Sequence, residues 1–258
     1  MAKTATGRLL TDRHRIAQAA IGAAVASRTL DLAPLLNPAS ITATQDRWLA
    51  EMLSTMDATH TLSTSTAVTY VNEFRTVEFG RSVASAGPVV THGFDPVSMT
   101  AELATVPQMV AAATHYGADP WQAWRMITRN LAGIMMALAM RPGRRIVTDS
   151  AIRAGVGWRR VCDGNPCAWC AMLASRGPVY ARSSALKTKA GRSYHPHCGC
   201  TCEEIRGKAG GWNPTPTEEE FIALYDKVHV PGMTGRDTAA AMRAAGQGLL
   251  SDAIKPQF

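Results

Sequence analysis

The sequence predicts a mostly helical α+β fold: a helical N-terminal domain, a small unit pinned by cysteine and histidine, and C-terminal helices. Hydrophobic residues make up 46% of the 258 residues, but only 6% are aromatic. The apolar side chains are chiefly those of alanine, leucine, valine and methionine, which favours packed helices over a β-sandwich. All six cysteines lie between Cys162 and Cys202, so a separate unit rich in metal-ligating side chains is expected there.

The N-terminal region is predicted to contain three helices. The first begins at Thr11, whose hydroxyl can cap it, and reaches about Arg28. Leu-Asn-Pro at 36–38 then interrupts the helical pattern. Apolar side chains at a helical period predict the second helix and comprise Trp48, Leu49, Met52, Leu53 and Met56. β-Branched residues from Val68 onward favour a separate third helix that runs to Phe79.

Two aspartate–proline pairs mark further helix starts. In Asp95-Pro96 and Asp119-Pro120 the aspartate can cap the helix, and proline at the first helical position loses no hydrogen bond. The helix from Pro120 is predicted to end at Arg141-Pro142-Gly143, where cations meet the negative end of the helix and Pro-Gly stops it. A short helix between 146 and 156 then leads to the cysteine region.

The C-terminal part is predicted to contain a linker and two helices. Residues 207–216 are rich in glycine and proline. Thr217 and Glu220 fit a capping box for a helix that reaches Val228, and an alanine-rich helix follows over about 237–254. The sequence therefore predicts three regions, which are a helical docking domain at 1–145, a cysteine/histidine domain at 146–210, and a linker with C-terminal helices at 211–258.

The spacing of the cysteines and histidines predicts a structural zinc site. Cys167 and Cys170 form a Cys-x-x-Cys turn, which lets two sulfurs hold one ion. About 25 residues later come His195 and Cys198, again with two residues between them. Thiolate and imidazole ligands suit Zn²⁺, so we predict these four residues as its ligands. Further candidates for the same shell are Cys200, His197 and Cys202.

Two other interpretations of the cysteine segment stay open. A thiol enzyme would pair a nucleophilic cysteine with His195 or His197, although a nucleophile usually stands apart from other thiols. Alternatively, the thiols pack as small apolar side chains. Packing suits Cys162, Cys200 and Cys202 better than it suits the Cys-x-x-Cys pair. The sequence contains no nucleophile-elbow, paired-carboxylate or nucleotide-binding glycine motif.

Positive charge is concentrated in the second half of the chain. The net charge is +7; residues 1–150 carry 13 cations and 11 anions, a balance of +2, and residues 151–258 carry 14 and 9, a balance of +5. A stretch without acids carries Arg182, Lys187, Lys189 and Arg192. These cations are candidates for contact with nucleic acid or an acidic partner, and a solvated basic loop is the alternative. The longest apolar run, 131–140, is too short to cross a membrane.

One stretch of the cysteine region has a distinctive order of residues. A Cys-x-x-Cys turn is followed by a leucine, a glycine and an aromatic residue, and then by His-Pro-x-Cys-x-Cys. The residues that carry this order are Cys167, Cys170, Leu173, Gly177, Tyr180, His195, Pro196, Cys198 and Cys200. Over roughly 45 residues the stretch resembles the C-terminal region of the Mu F-like minor head proteins of tailed phages, in the form found in phages of actinobacteria. Cys162 and Cys202 lie outside the shared pattern.

The resemblance implies a head-morphogenesis protein of the virion, made in the host cytoplasm and located inside the capsid near the portal. Its implied partners are the portal and other head proteins, with packaged DNA as a further partner and no membrane. Related phage proteins are often described as capsid maturation proteases, which is one alternative. A zinc-containing DNA-binding protein is the other. The sequence offers no assembled Ser-His-acid or Cys-His group, so a structural role is favoured and the question of catalysis stays open.

Overall fold

The computed structural model describes residues 4–80, 88–177, 197–205 and 214–252. Within these ranges the chain forms eight α-helices and one pair of strands, which confirms the predicted mostly helical fold with a small sheet. The elements are α1 (Ala5–Leu32), α2 (Ile41–Phe79), α3 (Pro96–His115), α4 (Pro120–Ala139), α5 (Arg141–Arg153), β1 (Gly157–Val161), α6 (Ala168–Ser175), β2 (Thr201–Ile205), α7 (Pro216–Val228) and α8 (Gly235–Ala245). No helix of the described ranges is long and apolar enough to cross a membrane.

The first two helices differ from the sequence prediction in their bounds. Thr4, rather than Thr11, caps α1 by accepting a hydrogen bond from the Gly7 amide. Thr11 is buried, and its hydroxyl donates to a carboxylate on β2. Helix α2 is continuous, so the prediction of a separate third helix was wrong. Its buried stripe runs from Trp48 to Phe74, and this packing outweighs the weak helix propensity of its β-branched residues.

Helices α3 and α4 begin where the aspartate–proline pairs predict. The Asp95 carboxylate accepts from the amides of the first turn of α3, and the Asp119 carboxylate accepts from the Gln122 amide in α4. The predicted stop after α4 is only a one-residue break, because Met140 joins α4 directly to α5. Pro142 lies in the first turn of α5, where proline is tolerated in a helix.

The C-terminal helices are shifted relative to the prediction. The capping box of α7 is formed by Thr215 and Glu218 rather than by Thr217 and Glu220, and its proline stands at the first helical position. Helix α8 ends at Ala245 rather than near 254. The chain then turns back, and Leu250 is buried against the same apolar cluster as α7 and α8.

Two apolar clusters share the long helix α2. Its first half packs with α1, α3 and α4 around Trp48, Trp124 and Leu131. Its second half packs with α5, α6, α7 and α8 and with β1 around Trp158 and Phe221. The proposed division at 145 and 210 stays a prediction, and α2 is the element that joins the two clusters.

The strand pair brings the ends of the cysteine region together. Strands β1 and β2 are antiparallel, with Val161 opposite Thr201 and Gly157 opposite Ile205. Cys162 directly follows β1 and Cys200 directly precedes β2, so this register places the two cysteines side by side. The sheet therefore fixes one edge of the cysteine cluster.

Candidate metal centre

Three cysteine sulfurs converge in the protein interior. The Sγ atoms of Cys170, Cys198 and Cys200 all lie within 4.8 Å of one another, and all three side chains are buried. The Cys170 and Cys198 sulfurs are 3.5 Å apart. Among the described cysteine, histidine and acidic side chains, these three cysteines are the group that can hold a metal ion.

Helix α6 supplies one side of the cluster. Cys167 is its N-cap, and the Cys167 sulfur accepts a hydrogen bond from the Cys170 amide at 3.4 Å. The helical turn therefore directs both side chains of the Cys-x-x-Cys pair to the same place. The positive end of α6 also favours negative charge on these sulfurs.

The segment before β2 supplies the other side. Cys198 and Cys200 flank Gly199, which packs against the carboxylate of Asp163. A Cβ at position 199 would overlap a carboxylate oxygen of Asp163, so a larger residue would require the carboxylate or the segment to move. Glycine at this position therefore lets the segment between the two cysteines pack closely against Asp163.

Two buried arginines contact the cysteine residues. Arg144 of α5 donates from Nε to the Cys200 carbonyl at 2.9 Å and from Nη2 to the Cys198 carbonyl. Arg160 of β1 places Nη1 3.5 Å from the Cys170 sulfur. Both guanidinium groups are almost completely shielded from solvent, so their charge acts on the cluster with little screening.

His197 lies next to the cluster but packs in another direction. Its backbone has a φ of 62°, and its amide donates to the Gly133 carbonyl on α4 at 3.2 Å. The imidazole lies over Gly133, where a Cβ would overlap the ring. His197 is therefore outside the group of described residues that can hold a metal.

Contacts among the thiols separate their pKa values. Contact with the Cys167 thiol raises the pKa of Cys170. Contacts with Cys198 and Cys200 and the charge of Arg160 outweigh that effect and lower the pKa to about 6. Contact with Cys170 lowers the pKa of Cys167. Contacts with three neighbouring thiols raise the pKa of Cys200 well above its ordinary value. A divalent cation would favour the thiolate form of all of them.

The donor set fits a soft divalent metal. Four thiolates around zinc, at Zn–S distances of about 2.3 Å, lie about 3.8 Å from one another, close to the 3.5 Å between Cys170 and Cys198. Two further cysteines flank the three central sulfurs: Cys167 contacts Cys170, and Cys162 contacts Cys200. Cys202 belongs elsewhere, because its thiol donates to the Arg144 carbonyl.

Several predicted site residues lie outside the described ranges. They are His195, Arg182, Lys187, Lys189 and Arg192, and their roles as metal ligand and DNA contacts stay predictions. The sequence did not single out Arg144 or Arg160. Arg144 stands in a run of cations that the sequence explains equally well as a helix-end feature, so no local signal distinguishes it.

The fold and the site define a mostly helical protein with a buried cysteine cluster that can hold a metal ion. The chain belongs to the VG15 protein family, whose model matches residues 6–228. The match extends from the first turn of α1 to the end of α7 and includes the whole cysteine cluster. This family points to a phage-encoded protein. Comparison with curated proteins and with solved structures gives no match.

Proposed function

We propose that this chain is a minor head protein of a tailed phage, of the Mu F-like kind, and that it acts in head assembly and in DNA packaging or delivery near the portal. Membership of the VG15 family supports a phage origin. The order of residues from Cys167 to Cys200 supports the narrower Mu F-like assignment. The proposed role is structural: the chain docks to the portal and neighbouring head proteins and stays in the virion.

The burial of the cysteine cluster is the observation that carries the structural role. Cys170, Cys198 and Cys200 are 0%, 3% and 1% exposed, and their sulfurs contact one another. A nucleophile must reach its substrate and lie beside a base, whereas structural metal ligands are closed off from solvent. The arrangement therefore favours metal binding over a thiol protease.

We further propose that the metal is zinc and that the ligands are Cys167, Cys170, Cys198 and Cys200, where Cys200 replaces the predicted His195 because its sulfur lies in the buried cluster. Cys167 is preferred to Cys162 because the Cys-x-x-Cys turn directs it to the cluster from the same helix end as Cys170. Bound zinc would cross-link the start of α6 to the segment before β2. Such a cross-link stabilises a region whose strands are only five residues long.

The docking role is tested with the portal protein of the same phage. Purified chain is mixed with portal rings, and complexes are separated by size-exclusion chromatography; purified virions are searched for the chain by mass spectrometry. We expect a complex with the portal and a few copies in each virion. A chain that neither binds the portal nor occurs in virions contradicts the head assignment, whatever its metal content.

The contact with packaged DNA is a separate part of the proposal. It is assigned to Arg182, Lys187, Lys189 and Arg192, since these cations lie in a stretch without acids. Charge reversal of Lys187, Lys189 and Arg192 is expected to weaken DNA binding and its salt dependence. The matched control reverses the charge of three exposed arginines on α1 and α4, which are Arg13, Arg125 and Arg129. Equal affinity of both triple variants contradicts the assignment.

A further inference from the structure

We infer that Arg144 and Arg160 form a buried cationic frame that suits the site to a metal bound by four thiolates, and that they act as positioning residues for it. This inference rests on the proposed metal site. The implied ligand is a soft divalent cation in an all-sulfur shell. A shell of three thiolates and an imidazole is the alternative that the frame disfavours.

Arg144 fixes the backbone of the segment that carries two of the ligands. One guanidinium donates to the carbonyls of both Cys198 and Cys200, so it holds the residues on either side of Gly199 at once. Nη2 also lies 3.5 Å from the Met140 sulfur, in the helix-to-helix junction that precedes α5. Because Arg144 is 2% exposed, packing as well as hydrogen bonds holds its guanidinium group in place.

Arg160 contacts the cluster through a different cysteine, Cys170. Arg160 lies on β1 opposite Cys202 of β2, and its Nη1 contacts the Cys170 sulfur directly. Its neighbour Arg159 points to the other face of the strand pair, where it binds Glu203 and Glu218. Because side chains alternate between the two faces of a strand, Arg160 faces the cysteine cluster and Arg159 faces the carboxylates.

The charge balance distinguishes the two kinds of metal shell. A divalent cation with four thiolates has a net charge of about −2, which two guanidinium groups neutralise; with three thiolates and a neutral imidazole the same frame leaves about +1 in the interior. An uncompensated buried charge is costly. Two carboxylates near the cluster oppose this frame less strongly than its buried charges act, because Asp163 is partly exposed to solvent and Asp252 is paired with Arg243.

The number of thiolates is measured on the unmodified protein. Zinc is replaced by Co²⁺, and the sulfur-to-cobalt charge-transfer absorption is calibrated against Cys₄ and Cys₃His reference sites. We expect the intensity of four thiolates. The intensity of three thiolates overturns the inference while leaving the metal site of the proposed function in place. A chain that binds neither metal overturns both.

The frame is tested by variants with a matched control. Zinc release to a chromophoric chelator is timed for Arg144→Lys, Arg160→Lys and Arg160→Met. The corresponding changes at Arg75 are the control, because that buried arginine binds Glu204 and the Ser150 carbonyl. We expect release about tenfold faster or more for Arg160→Met, with partial rescue by Arg160→Lys, and faster release for Arg144→Lys.

The outcomes separate positioning from general stability. The Arg75 variants are expected to lower the melting temperature and to release zinc at the wild-type rate. If the Arg144 and Arg160 variants also release zinc at that rate, or if all variants change release in proportion to their loss of stability, the frame has no specific role. Should Arg160→Met fail to fold, the lysine variants and the cobalt spectrum of the unmodified protein still decide the inference.

Discussion

Gly133 is a single residue on which the placement of the cysteine segment depends. A glycine inside a helix normally costs about 1 kcal/mol relative to alanine, yet here the missing side chain makes room for the His197 ring. His197 immediately precedes Cys198, so the close approach of α4 also positions a ligand of the proposed metal. A gain in helix propensity is therefore opposed by a clash with the cysteine segment.

Gly133→Ala is predicted to destabilise the protein and to speed zinc release, because its Cβ would overlap the His197 ring. Overpacking in a core costs about 1–3 kcal/mol; because the His197 side chain is exposed and its ring can shift, we expect a net loss of about 1 kcal/mol or less after the propensity gain. The control is Gly93→Ala, where a Cβ meets no atom within 4 Å. Urea unfolding and chelator competition measure both effects; a Gly133→Ala variant that is more stable than the wild type contradicts the packing.

His14 is buried between helices and stacks on Tyr70, with ring centroids 4.3 Å apart. Neither ring nitrogen has a hydrogen-bond partner among the described residues. Burial, with a smaller effect of the Arg144 charge, lowers the pKa of His14 to about 3. The folded protein therefore holds a neutral imidazole at pH values where the unfolded chain takes up a proton.

This residue is predicted to make stability fall in acid. Its contribution is complete above the unfolded pKa of 6.5 and declines by about 1.4 kcal/mol per pH unit as the pH falls from there towards the folded value. His14→Phe keeps the stacking and removes the proton site, so its stability should vary less with pH over that window. Urea unfolding at several pH values checks this, with exposed His115→Phe as the control. If the free energy of unfolding depends on pH in the same way in the wild type and in His14→Phe, His14 is not the source of the acid sensitivity.

Among the elements, the two aspartate–proline pairs predicted helix starts correctly, whereas the caps predicted at Thr11 and Thr217 and the predicted breaks in the long helices were wrong. Asp95 and Asp119 cap α3 and α4 as expected, because capping depends on a few neighbouring residues. The unbroken course of α2 and the near fusion of α4 with α5 depend on tertiary packing, which no short window contains. The two-residue shift of the α7 capping box has the same origin, since Glu218 also meets the buried Arg159.

Glu218 links the start of α7 to the strand pair. Its carboxylate accepts from the Thr215 amide and hydroxyl in the capping box and pairs with Arg159. Burial opposes the charge of Arg159, but Glu203 and Glu218 raise its pKa above the ordinary value. The same carboxylate therefore serves a helix end and a buried ion pair.

Glu218→Ala is predicted to lower the free energy of unfolding by about 3 kcal/mol or more, since it breaks a buried charge network as well as a cap. Asp237 occupies the same capping position in α8 but is exposed. Asp237→Ala should therefore cost about 1 kcal/mol or less. Chemical denaturation of both variants gives the comparison, and equal losses would show that the ion pair adds nothing to the cap.

At the scale of the whole molecule, the cysteine pattern predicted which parts of the chain meet. The structure brings Cys170 of α6 to Cys198 and Cys200 before β2. The spacing favoured His195 over Cys200 as the fourth ligand; His195 lies outside the described residues, so that choice stays a prediction, whereas the Cys200 sulfur lies in the cluster. The spacing could not identify Arg144, which is more than 50 residues from the carbonyls that it binds, since only the packing of α5 against β2 places it there.

The zinc content of the purified protein and of two serine variants decides whether the buried cysteines hold a metal ion. We expect about one zinc per chain in the wild type and none in Cys198→Ser. Cys202→Ser should keep the wild-type amount, because the buried Cys202 thiol donates to the Arg144 carbonyl outside the cluster. Cys198→Ser should also melt at a lower temperature. A wild-type chain that is purified folded and metal-free and does not take up zinc would contradict the proposed site.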